Sequence, residues 1–118
     1  MNEDLLDYWL RIITPIFPSN AWIAARLSNG DHLILIDWKL ENDPRQSNKR
    51  SRKIQIIIQE EAIDDYLAKE KADRERSDIN MKKWISEKYN QFEPDQDAHT
   101  SRSAYADKWH ISIDVLNS

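Results

Sequence analysis

The densest concentration of chemically active side chains is Arg45-Gln46-Ser47-Asn48-Lys49-Arg50-Ser51-Arg52-Lys53, with five positive charges, Arg45, Lys49, Arg50, Arg52 and Lys53, and no negative one. The whole 118-residue chain is −4, so with this segment set aside the remainder carries −9. Such segregation of charge points to a partner of opposite sign. Arg and Lys interspersed with Ser, Asn and Gln are the types that contact a phosphate backbone, and each neutralised phosphate releases counterions. An acidic protein surface would serve the same charges. One exists in this chain, since Glu60, Glu61, Asp64, Asp65, Glu70, Asp73, Glu75 and Asp78 outnumber the basic residues in their own window. The simplest reading is a solvated loop whose charges keep a sheet edge from aggregating. A second feature is the acid-x-Lys triplet Asp37-Trp38-Lys39. The three histidines, His32, His99 and His110, have no helical metal-ligand spacing and read as surface or half-buried side chains.

Several chemistries are excluded by composition. Gly30 is the single glycine, where average usage of about 7% would place roughly eight. Walker loops, dinucleotide fingerprints and nucleophile elbows need glycines for tight turns and close backbone approach, so none can be built. The absence of cysteine excludes disulfides, thiol nucleophiles and thiolate metal sites, and is expected of a reducing, cytoplasmic location. Met1-Asn2-Glu3-Asp4 is acidic where a signal peptide would be basic. The apolar runs, Leu33-Ile34-Leu35-Ile36 and Ala21-Trp22-Ile23-Ala24-Ala25 among them, fall far short of the roughly 20 residues that span a bilayer. No membrane segment, cofactor or metal site is expected.

The elements that must carry these residues are legible from periodicity. Leu5, Leu6, Trp9, Ile12, Ile13 and Ile16 form one helical stripe over about 3–14, stopped by Pro15 and Pro18. Residues 21–28 and 31–40 flank Asn29-Gly30, the dipeptide suited to a two-residue type I′ turn. That turn fixes the register, with Ser28 opposite Asp31, Ala25 opposite Ile34, Ile23 opposite Ile36 and Trp22 opposite Asp37. Residues directly opposite share a face. One face carries Ile23, Ala25, Ile34, Ile36, Trp38 and Leu40; the other carries Trp22, Ala24, Leu33 and Leu35, then Asp37 and Lys39. The second strand is therefore apolar on both faces and is expected to be central. A third strand covers 53–59 after the polar loop 41–52. A helix follows from Glu61, loses its apolar face over 69–78, and is expected to break and restart near Ser77 or Asp78 as a cap. A last strand is predicted over 108–116, with Trp109, Ile111, Ile113 and Val115 on one face. The result is a single α+β domain, α-β-β-β-α(α)-β, built on one mainly antiparallel four-stranded sheet.

That element order together with Asp37-Trp38-Lys39 resembles the PD-(D/E)xK nuclease core, where an acid-x-Lys triplet positions a metal and a water. A second carboxylate must then lie beside Asp37. Asp31 is six residues away on the same strand, about 20 Å at about 3.3 Å per residue, which leaves Glu60 or Asp114 if their strand ends fall nearby. The plainer reading is an Asp–Lys pair on one strand face. The order is also similar to that of the double-stranded RNA-binding domain. That family has a basic cluster at the start of its last helix, where this chain reads Glu60-Glu61-Ala62-Ile63-Asp64-Asp65, so the sign argues against membership.

Five tryptophans, Trp9, Trp22, Trp38, Trp84 and Trp109, either fill a small core or anchor a partner. The sequence reading is a non-enzymatic interaction or accessory domain that acts through its surfaces and self-associates, with Trp22, Leu33 and Leu35 as interface residues. The alternative is a nucleic-acid binder using Arg45, Lys49, Arg50, Arg52 and Lys53. A nuclease of the PD-(D/E)xK kind is the remote one.

Overall fold

The computed structural model describes residues 2–39, 50–93 and 107–118. The chain runs α1 (Asn2–Ile13), a 3-10 turn (Thr14–Ile16), β1 (Trp22–Ser28), β2 (Asp31–Asp37), β3 (Ile54–Ile58), α2 (Glu60–Leu67), α3 (Lys71–Gln91), β4 (Asp107–Ile111) and α4 (Ile113–Leu116). The sheet order is β1-β2-β3-β4, with both early pairs antiparallel and β3–β4 parallel. The two helices between β3 and β4 supply the crossover that a parallel pair requires. Among the described residues no helix is long and apolar enough to cross a membrane.

The hairpin follows from its turn. Asn29 (φ 54°) and Gly30 (φ 90°) hold the two positive angles that a two-residue turn demands. The four pairs expected from it all form. Beside β2, His32, Ile34 and Ile36 face Ile58, Ile56 and Ile54, and these in turn face Ile111, Trp109 and Asp107. This gives one sheet face an almost unbroken apolar surface. Leu6, Trp9 and Ile13 of α1, Ala62, Ile63 and Tyr66 of α2, Met81 and Ile85 of α3 and Leu116 of α4 close over it as a single core. The other sheet face contributes nothing to that core. The described residues thus form two layers, helices on one side and a sheet surface that no described helix covers on the other.

The helical break comes earlier than the sequence suggests. α2 ends at Leu67 and α3 starts at Lys71, so Ser77 and Asp78 lie well inside α3 and are buried rather than capping it. Arg74 decides the corner. Its Nε and Nη2 donate to the carbonyls of Tyr66 (3.2 Å) and Leu67 (2.6 Å), the open end of α2. The polar first half of α3 is supported from inside, where Lys69 Nζ donates to Ser77 Oγ at 2.7 Å.

The last strand is also shorter than predicted. Pairing stops at Ile111, and Ile113 to Leu116 turns into a short helix. The alternation of Ile111, Ile113 and Val115 reads as a strand, but Ile113 and Leu116 are three apart and share a helical face. Leu116 is buried, and its carbonyl accepts from Asn80 Nδ2 at 2.9 Å. Asn117 Nδ2 donates to Asp65 at 3.1 Å, which ties the terminal turn to α2 and holds the Asp65 carboxyl below its ordinary range.

Candidate functional site

The register places three rows of side chains across the helix-free face: Trp22 beside Asp37; Ala24, Leu35, Gln55 and Lys108; and Arg26, Leu33, Ile57 and His110. Trp22 is 53% exposed, the largest exposed ring among the described residues. Leu33 is buried although it lies outside the helix-covered core. Leu35, Ile57 and Ala24 are half-buried. The structure therefore brings the three expected interface residues onto one surface, an apolar strip rimmed by Arg26, Lys108 and His110. The remaining tryptophans do the other job: Trp9, Trp38 and Trp109 are buried and Trp84 is partly so.

Of the basic segment, Arg45 and Lys49 lie outside the described residues. Arg50 is taken up by Asp37, with Nε at 3.1 Å from Oδ1 and Nη2 on the same oxygen. The Asp37 side chain is 8% exposed, so this cation neutralises a carboxylate that the sheet would otherwise bury alone. Arg52 stacks on the Phe92 ring at 5.0 Å, donates to the Glu93 carbonyl at 3.2 Å and lies 3.9 Å from Asp107. Lys53 is exposed. Two of the three described cations are thus fastening the ends of β2 and β4.

The same contacts decide the acid-x-Lys triplet. Glu60 and Asp114 follow Ile58 and Ile111, at the end of the sheet where β2 begins, whereas Asp37 stands at its far end. Neither carboxylate meets Asp37, which faces Arg50 instead. No group of three or more His, Asp or Glu among the described residues is placed to hold a metal. Asp31 has its own task, accepting the Glu60 amide at 2.8 Å at the N-terminus of α2. Beside it Asn29, Ile57, Gln59, Glu60, Glu61 and His110 line a shallow polar depression open to solvent.

One cluster was not foreseen. Asp78 accepts from Tyr8 Oη (2.6 Å), Tyr66 Oη (3.0 Å) and Trp9 Nε1 (3.3 Å), joining α1, α2 and α3 around one buried carboxylate. The hydrogen bond to Asp78 raises the Tyr8 phenol above its ordinary value, and burial together with Asp78 raises Tyr66 further. Both phenols therefore remain protonated donors at neutral pH, which suits a structural clamp and not a proton acceptor. No sequence signal marks it, because the partners are 12 to 70 positions apart. Next to it His32 is fully buried, not at the surface or half-buried as expected, because its alternation in β2 points it inward beside Trp9 at 5.5 Å. Neither ring nitrogen has a hydrogen-bond partner, and burial pushes the imidazole below its ordinary range.

Comparison with family models, with curated proteins and with solved structures finds no match.

Proposed function

We propose that this protein is a non-enzymatic interaction domain that acts through the sheet face no described helix covers, and that it self-associates. The observation that carries the reading is Trp22, more than half exposed, on a face that also carries the half-buried Leu35 and Ile57 beside Leu33 and that no described helix covers. A large ring held on a rigid strand costs little entropy to bury, which is why Trp anchors interfaces. The cysteine-free composition accords with a reducing, cytoplasmic setting.

Sedimentation at micromolar concentration tests the reading. A mass above 14.0 kDa is expected, and a clean monomer over the whole range overturns it. Nucleic acid is the competing partner, with Lys53 as its exposed contact. It would reveal itself as binding to generic duplex or single strands that weakens as salt rises, with one phosphate contact per engaged cation.

A further inference from the structure

The position of β1 narrows how two copies meet. β1 is an edge strand, seven residues long, with no Pro or Lys and with Arg26 as its single charge. Edge strands of monomers are ordinarily shielded by charge, proline, bulges or shortness. The opposite edge follows that rule, since β4 has five residues and opens with Asp107 and Lys108. β1 does not.

In a two-residue hairpin the pair flanking the turn, here Ser28 and Asp31, exchanges both main-chain bonds, and the bonded pairs then alternate. Arg26, Ala24 and Trp22 therefore point their amides and carbonyls toward β2. Ile23, Ala25 and Leu27 point theirs outward, where no described residue pairs with them.

We infer that a second copy of this chain pairs with that edge, β1 against β1 antiparallel about a two-fold axis through Ala25, to make one continuous eight-stranded sheet. This rests on the self-association proposed above and specifies its geometry. The pairing is self-complementary. Ala25 meets Ala25 of the partner subunit, and Ile23 meets the partner's Leu27, so about six main-chain bonds form and every outward group of the strand is used. On the helix side, Leu27, left 40% exposed at the margin of the core, gains Ile23 of the partner subunit as its neighbour. On the open side, Arg26 lies diagonally across from the partner's Trp22, within reach of the indole face at the cross-strand spacing of about 7–8 Å. Both edges of β1 are then consumed, so assembly closes at two.

The test compares four full-length proteins by sedimentation velocity, with circular dichroism as the check on folding. Ala25→Pro removes only an outward amide and leaves the β2 ladder untouched, which an edge strand tolerates. Leu27→Lys charges an exposed position on the same edge. Leu35→Glu charges the centre of the open face instead. The wild type is expected at twice 14.0 kDa, both edge variants as folded monomers or dimers weakened at least tenfold, and Leu35→Glu still dimeric. Should Ala25→Pro fail to fold, Leu27→Lys decides. A folded Leu27→Lys that stays fully dimeric while Leu35→Glu becomes monomeric overturns edge pairing and leaves self-association through the face. Assemblies larger than two overturn edge pairing likewise, and a monomeric wild type overturns both.

Discussion

Replacing His32 by leucine should make the protein more stable. His32 lies on β2 with its ring inside the core, 0% exposed, between Leu27 and Ile58 in the register and edge-on to Trp9. A neutral imidazole has one donor and one acceptor, and here neither finds a protein partner. A buried polar group left unsatisfied costs about 1–3 kcal/mol. Leucine is similar in volume and matches the Leu and Ile neighbours of β2, so overpacking should return less than that. The net expectation at neutral pH is a gain of about 1–2 kcal/mol, or a rise in Tm of about 4–8 °C for a chain of this size. The pH dependence gives an independent readout. Burial lowers the folded-state pKa of His32. As pH falls below about 6.5 the unfolded chain therefore binds a proton that the folded chain refuses, and stability declines until pH reaches the depressed folded value. The decline approaches about 1.4 kcal/mol per pH unit. The leucine variant lacks it, so the gap between the two proteins should widen on acidification from pH 7 to pH 5. Urea unfolding at several pH values measures both quantities. A variant less stable than wild type at pH 7, with an unchanged acid slope, would refute the reasoning and mean that the imidazole is satisfied in solution.

Other residues give separate tests. Gly30→Val should destabilise by about 1 kcal/mol or more in thermal melts, because φ is +90° and a Cβ there would overlap the Glu60 carboxylate. Adding Glu60→Ala should relieve the overlap but not the backbone strain, so most of the loss should persist. Asp78→Ala strips the acceptor from Trp9 Nε1 and Tyr66 Oη, and about 3 kcal/mol or more should be lost in urea unfolding. Asp78→Asn should instead lower the Tyr8 titration midpoint toward the ordinary phenol value in an ultraviolet pH titration; an unmoved midpoint would contradict the hydrogen bond. Arg50→Ala leaves Asp37 without its cation, and a loss of about 1–2 kcal/mol is expected, discounted because the guanidinium is half exposed. A neutral result would return Arg50 to the pool of free binding cations.

Local chemistry carried a good part of this fold. Asn29-Gly30 admits one tight turn, and period-two alternation from Trp22 to Asp37 then fixes every pair of the hairpin, because a slip of one residue would exchange the two faces. The stripe of α1 and the isoleucines of β3 are legible from the same kind of periodicity, which marks a buried face whatever segment comes to cover it. The candidate interface on Trp22, Leu33 and Leu35 follows from that alternation too. What alternation cannot tell is which face the helices choose, and so which tryptophan is left in solvent. Long-range packing decided that. It buried His32 and Asp78, whose sequence neighbours read as a strand surface and a helix cap, because the docking of α1 against α2 and α3 put Trp9, Tyr8 and Tyr66 beside them. It turned Ile113–Leu116 into a helix, because a buried site for Leu116 and a donor on Asn80 lay 36 positions away. It also assigned Arg50 to Asp37 and Arg52 to Phe92, so a run of charge that looks free in one dimension holds strand ends together in three. Composition and periodicity determine where the elements run and which of their faces are apolar. Charge pairing, burial of polar groups and the choice of the open face depend on distances between remote segments, and those exist only once the chain has closed on itself.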